Sequence, residues 1–314
     1  MNNLKKIGLT ALAGSLAVTS AFAGELTATG SASMGVANIT GTADNGLGKN
    51  FSMANSVYLA GSGELDNGMS VSVSFELDNG VDTGTGTGPF DNHYVEVGSD
   101  ALGTLRFSGH GGSSAQGAMD TTAAGDLWNN TLAITGPAAA ASGDNSLFYT
   151  APALVDGVAI TASLAPGAAA TTDTHMSYGV SYSGIEGLTL NYGIGDSGTQ
   201  TAEVEHTTIS GSYAYGPLTV SLSQTEIDNA GSTADIEWDS YQVAYTVSEN
   251  MSVTYGVETK DTGGQTTDEE VTGFGVSYTT GGMTISASQI NAEGAGNVAA
   301  ADTDRWSLTA AFAF

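Results

Sequence analysis

There is no cysteine in the 314 residues, and only six lysines and arginines stand against 33 aspartates and glutamates. Without thiols the fold carries no disulfide, and no thiolate is present to act as nucleophile or metal ligand. So few cations exclude a nucleic-acid partner, because phosphate binding needs clustered Lys and Arg. No apolar run beyond the first two dozen residues reaches the roughly 18 that a membrane-crossing helix needs. Motifs for zinc and phosphate are also missing: there is no H-E-x-x-H, no Cys/His cluster and no G-x-x-x-x-G-K-[ST] loop.

What is present begins with a leader. Lys5 and Lys6 precede an apolar stretch, Ile7 to Val18, and Ala21-Phe22-Ala23 supplies a small-residue cleavage site. The pattern reads as a secretory signal peptide over residues 1–23, leaving residues 24–314 as one domain. Lys49, Arg106, Lys260 and Arg305 are then the four cations that remain, still against 33 carboxylates.

Apolar residues in this domain alternate with small polar ones between breaks rich in Gly, Asp and Asn, the pattern of short strands joined by turns. Strands are predicted for Leu26 to Ile39, Ala54 to Leu65, Met69 to Leu77, His93 to Gly98, Leu102 to Gly109, Ser146 to Ala151, Gly157 to Ala165 and Thr174 to Ser183. They continue with Gly187 to Gly195, His206 to Tyr215, Pro217 to Thr225, Asp235 to Val247, Met251 to Thr259, Val271 to Thr279, Met283 to Ile290, and a closing strand from Thr303. Sixteen is an even number, as bacterial outer-membrane barrels of one chain have, and connections alternate between tight and long. The tight ones, such as Asp66-Asn67-Gly68, use hairpin chemistry. The long ones cover residues 40–53, 78–92, 110–145, 166–173, 196–205, 226–234, 260–270 and 291–302, the third being the longest.

This is the expectation of an all-β, sixteen-stranded antiparallel transmembrane barrel with short periplasmic turns and long external loops. In the final strand Trp306, Leu308, Ala310, Phe312 and Phe314 share one phase, suited to lipid. Because a charge on the lipid face costs up to about 2–4 kcal/mol at mid-membrane, in-strand charges should take the lumen phase. Glu64, Glu76, Glu96, Arg106 and Glu258 do so, whereas Glu205, Glu226, Glu237 and Asp239 fall in the lipid phase at external strand ends. Tyrosines and Trp238 and Trp306 recur near strand ends and read as a group as interfacial girdles.

Three stretches resemble the Gram-negative general porins, in particular the sixteen-stranded alphaproteobacterial type. Tyr94-Val95-Glu96-Val97 through Leu102 to Gly109 resembles the strand pair leading into that family's constriction loop. Asp144-Asn145-Ser146-Leu147-Phe148-Tyr149-Thr150-Ala151-Pro152 resembles its exit strand, with Ala151 where Ser is usual, and the aromatic C-terminus resembles its assembly signal. The resemblance implies an outer-membrane homotrimer of water-filled barrels, each narrowed by an in-folded third loop, passing small hydrophilic solutes and ions without catalysis. It also implies contact with outer-membrane lipid and lipopolysaccharide, and recognition by the barrel-assembly machinery.

In that family, loop acids face basic residues on the wall. Asp120, Asp126 and Asp144 supply the acidic side here, and Arg106, with Arg305 at the start of its strand, is all that the basic side holds. With Glu64, Glu76, Glu96 and Glu258 in the lumen phase, cation preference is the expectation. A solute-specific porin and a non-conducting structural or adhesive barrel are the alternatives.

No cofactor is expected. The Asp-Asn-Gly triplets at 44–46, 66–68 and 78–80 and the acids 268–270 offer oxygen ligands for weakly bound Ca²⁺, but read first as turn chemistry. A barrel hydrolase needs a serine activated by histidine. His110-Gly111-Gly112-Ser113 is the local pairing among the four histidines, and an H-x-S-N-G motif is absent.

Overall fold

The computed structural model describes residues 26–41, 49–78, 90–119, 121–124, 127, 134–167, 173–199, 202–231 and 234–314. Residues 1–23, expected as leader, lie outside these.

The described residues form sixteen strands: β1 (Thr27–Gly41), β2 (Lys49–Glu64), β3 (Ser70–Asp78), β4 (His93–Ser99), β5 (Gly103–His110), β6 (Ser146–Thr150), β7 (Val158–Ala165), β8 (His175–Tyr182), β9 (Leu188–Thr199), β10 (Ala202–Tyr215), β11 (Leu218–Asn229), β12 (Ile236–Ser248), β13 (Met251–Thr262), β14 (Glu269–Thr280), β15 (Met283–Glu293) and β16 (Thr303–Ala313). Each pairs antiparallel with its chain neighbours, and β1 pairs with β16, so the sheet closes. Closure gives every ladder N–H and C=O a partner with no free edge, the condition for a β-structure in hydrocarbon.

Short turns gather at one end of the barrel and long connections at the other. At the first short turn Gly68 takes φ 79°, which only glycine adopts freely, and the Asn67 side chain accepts a hydrogen bond from Met69 N–H at 3.1 Å. The closure point is local too: Phe314 exchanges backbone hydrogen bonds with Gly30 at 2.7 and 2.9 Å. Its ring occupies the space where a side chain at Gly30 would stand.

Strands at the long-loop end outrun their predicted bounds. β2 starts at Lys49, and β9 and β10 pair up to Thr199 and Ala202, so the expected long connection over 196–205 is mostly hairpin. Alternation of apolar and polar residues marks a strand only where one face meets lipid. Past that band the backbone ladder continues, but on β10, β11 and β15 the outer face turns acidic while Val204, Ile227 and Ala292 point inward, so the phase inverts and the signal stops before the strand does. On the outer face of these extensions Glu226 stands opposite Glu237, and Glu237 opposite Asp261. Asp239 lies in the same belt.

The wall is uneven in height. Strands β3 to β8 have 5–9 residues, whereas β9 to β16 have 11–14.

Candidate functional site

The inner face of β7 to β12 is built of small hydroxyl and glycine positions, and this composition makes a seat. The third loop leaves β5 after His110, forms an antiparallel bridge between Gly112 and Gly143, and turns into the barrel instead of away from it. Its backbone donors end on wall hydroxyls. Ala115 N–H donates to Ser163 Oγ at 2.9 Å, Gln116 N–H to Ser177 Oγ at 2.8 Å, Ala123 N–H to Ser223 Oγ at 2.8 Å and Ala124 N–H to Ser240 Oγ at 2.7 Å. These loop amides need partners, and serines on β7, β8, β11 and β12 supply the acceptors.

Glycine supplies the room. A Cβ at Gly193 would stand 2.9 Å from the Gln116 Cα, one at Gly195 2.7 Å from the Ala140 Cβ, and one at Gly256 2.7 Å from the Ala124 Cβ. Farther along, Ile134 packs into an apolar cluster of Ile227, Trp238, Val271, Ile290, Ala292, Ala295 and Ala301. The hydrophobic core of this protein therefore lies inside the barrel, between the loop and one arc of wall.

The opposite arc, β2 to β6, stays open. A space of about 370 Å³ is lined there by Tyr58, Glu76, Asn92, Tyr94, Glu96, Arg106, His110, Phe148 and loop residues Gly111, Ser113 and Ala118. Arg106 lies against Glu96, with Nε and Nη2 at 3.0 and 2.9 Å from Oε2, and its guanidinium sits 4.1 Å from the centre of the Tyr94 ring. Glu76 is buried, held by three neutral donors: the Ser56 hydroxyl, the Tyr58 hydroxyl at 2.5 Å and Asn92 Nδ2 at 2.6 Å. His110 stands between Asp91 and Asp144, at 3.8 and 3.7 Å.

Of the residues expected to line the passage, Glu64, Glu76, Glu96, Arg106 and Glu258 all occupy the inner phase of their strands. They do not come together. Glu76, Glu96 and Arg106 share the open space, and Asp144 is exposed where the loop returns to β6. Glu64 is exposed at the short-turn end of β2. Glu258 has 0% exposure and accepts from Ser240 Oγ at 3.1 Å, because the loop around Ala124 covers it. Asp120 and Asp126 lie outside the described residues. Arg305 lies on the inner phase of β16, level with Ile39 and Ile290. Lys260 is paired with buried Glu269 at 2.6 Å.

The expected girdles lose three members, because Tyr58, Tyr94 and Trp238 turn inward. Tyr58 and Tyr94 line the open space, and Trp238 Nε1 donates to the Thr135 carbonyl at 3.3 Å. Their periodicity is the same as that of outward tyrosines, shifted by one residue, which a reading by position near strand ends does not register.

Two arrangements bear on other chemistry. Carboxylate oxygens of Glu76, Asp78 and Asp91 lie within 4.8 Å of one another, enough to hold a divalent cation loosely. The Ser197 hydroxyl sits 2.7 Å from His206 Nε2, a pairing no local motif announces. The other ring nitrogen, Nδ1, lies 3.1 Å from the Ala138 carbonyl of the loop, so no carboxylate orients this imidazole. The pair ties the loop to β10 and lacks the third member that a nucleophilic serine uses.

The family model described as Gram-negative porin matches residues 8–250. Among solved structures, the chain is similar to the anion-selective porin from Comamonas acidovorans, with a TM-score of 0.68 and 14% identity over 92% of this chain and 99% of that one. It is similar to the trimer form of OmpT, an outer membrane protein of Vibrio cholerae, with a TM-score of 0.67 and 13% identity over 92% and 99%. A Salmonella typhi OmpF complex with daunomycin gives 0.67 and 11% over 93% and 98%. No curated protein matches the sequence. At these identities the structural likenesses establish the fold.

Proposed function

The chain belongs to the Gram-negative porin family, and from that premise we propose that it is an outer-membrane diffusion channel that passes small hydrophilic solutes and ions and prefers cations. The observation that carries the reading is the seated third loop, which packs against one arc of the wall and leaves the β2–β6 arc as a polar path. Sixteen strands enclose more space than side chains alone fill, so an inserted loop narrows a channel instead of completing a core.

Cation preference follows from how the charges are matched. Arg106 is neutralised by Glu96, and Lys260 by Glu269. Glu76 has neutral donors, and Asp91 and Asp144 flank a histidine. The net field along the path is therefore negative, which raises local cation concentration. The anion preference of the Comamonas acidovorans protein belongs to that protein.

Export by a leader over residues 1–23 and assembly as a homotrimer complete the proposal. All nine tyrosines of β8 to β14 occupy the outward phase, and the outer acids Glu205, Glu226, Glu237, Asp239, Asp261 and Glu270 rise above them. Aromatic anchors with a polar margin suit lipid and lipopolysaccharide headgroups. By contrast, β1 to β5 present Met34, Val57, Val73, Val95, Val97 and Leu105 outward, with no tyrosine among the described residues. That arc suits a subunit neighbour, which needs no interfacial anchors.

Conductance and reversal potential of the refolded protein in a planar bilayer under a KCl gradient test the proposal. Steps in groups of three with a reversal potential on the potassium side are expected. Anion selectivity would refute the charge argument, and a folded barrel without conductance would refute the channel.

A further inference from the structure

We infer that Gln116 is the positioning residue that sets the aperture of the channel, by joining both limbs of the third loop to the barrel wall. The inference rests on the diffusion-channel reading and goes beyond it, to which contact fixes the width of the path.

Gln116 has 0% exposure, and every polar group of its side chain is used. Nε2 donates to Thr208 Oγ1 on β10 at 2.7 Å, and Oε1 accepts from Ala140 N–H on the returning limb at 2.8 Å. Its own backbone N–H donates to Ser177 Oγ on β8. One residue thereby connects the outgoing limb, the returning limb and two strands. Thr208 is in turn 2.9 Å from Thr225 Oγ1 on β11, and Thr225 Oγ1 donates to the Thr121 carbonyl at 3.4 Å. The hydroxyl chain thus continues from Gln116 to the next part of the same loop.

The other side-chain tethers are single bonds, from loop amides to Ser163, Ser223 and Ser240 and from Trp238 and His206 to the Thr135 and Ala138 carbonyls, each replaceable by water if the loop lifts. Gln116 is different because its loss leaves the Ala140 N–H without an acceptor in a site closed to solvent, and a buried unmet donor favours lifting the limb that carries it. The returning limb is the part with a choice. Ala140 sits on Gly195, and Ala141 N–H donates to the Asp196 carbonyl at 3.0 Å. Without Gln116 the limb keeps its bonds to the wall at Thr135, Ala138 and Ala141 and loses the side-chain bond that joins it to the outgoing limb.

The test compares three variants with the wild type in refolded full-length protein: Gln116→Leu, Thr208→Val and Thr208→Ser. Two quantities are read, hydrogen exchange at the Ala140 amide and the largest uncharged sugar that enters proteoliposomes. Gln116→Leu and Thr208→Val should lower Ala140 protection at least about tenfold and admit larger sugars. Thr208→Ser, which keeps the hydroxyl and loses the methyl, should match the wild type. A role in packing alone predicts the reverse order, with the near-isosteric valine silent and the serine disturbed, and would overturn the inference. Lost protection with an unchanged sugar cut-off would refute control of the aperture while leaving the channel intact. A wild type that admits no sugar and carries no current would instead refute the channel reading itself.

Discussion

At the scale of single residues the passage is governed by charges that are matched and small positions that are left empty. Arg106 is half-exposed and paired with Glu96, so the pair adds only about 0–1 kcal/mol to stability. Its larger effect is on the field. Arg106→Gln should leave thermal stability nearly unchanged and release the Glu96 charge, moving the reversal potential further to the potassium side in a KCl gradient. A shift toward chloride would contradict the assignment of Glu96 to the path. Gly193 acts by having no side chain. Gly193→Val puts atoms within 2.9 Å of the Gln116 backbone and should push the loop into the passage, lowering single-channel conductance in protein that still folds; an unchanged conductance would mean that the seat does not control the width. Neither residue is distinguished in the sequence by motif. Arg106 is legible as a lone mid-strand cation, but Gln116 is not legible at all, because Thr208 lies 92 residues away and Ala140 24 residues away.

At the scale of elements, the loop after β15 is held by an ion pair. Lys260 on β13 meets Glu269 on β14 at 2.6 Å, and Glu269 also accepts from Gly296 N–H at 2.8 Å, in the short 3-10 turn Ala295–Asn297. Breaking a buried pair by removing one partner costs roughly 3–5 kcal/mol, and partial exposure of Lys260 brings the expected loss for Lys260→Met to about 2 kcal/mol. Urea unfolding in lipid vesicles measures it, and a loss below about 0.5 kcal/mol, the scale of neutral surface changes, would show the pair to be idle. Strand identity was legible because lipid imposes a period of two on the face that meets it. Strand length was not, since extensions such as Thr199 paired with Ala202 lie beyond the lipid-facing band and carry no such mark. The inward turn of the third loop was legible only through family resemblance, as its amides reach Ser163, Ser177, Ser223 and Ser240 on four different strands.

At the scale of the whole molecule, the outer surface divides into an arc with outward tyrosines and an arc without them among the described residues, and the two should respond differently to the same insult. An arginine on a lipid face costs up to about 2–4 kcal/mol at mid-membrane but leaves subunits associated. Val243→Arg on β12 should therefore lower stability and keep the proposed trimer, whereas Val95→Arg on β4 should yield monomers by light scattering in mild detergent. Dissociation by Val243→Arg in place of Val95→Arg would reverse the assignment of the two arcs. The sequence by itself determined that this is an all-β chain whose strands have one apolar face, because period-two alternation is local and needs no partner to be read. It also determined the scarcity of cations, which composition states directly. Only the tertiary structure decided which of the inner carboxylates meet water and which, like Glu258, lie sealed under the loop. The reason is that aperture and exposure depend on contacts between strands far apart in sequence, where a serine, a threonine or a glycine is informative only once its neighbour across the barrel is known.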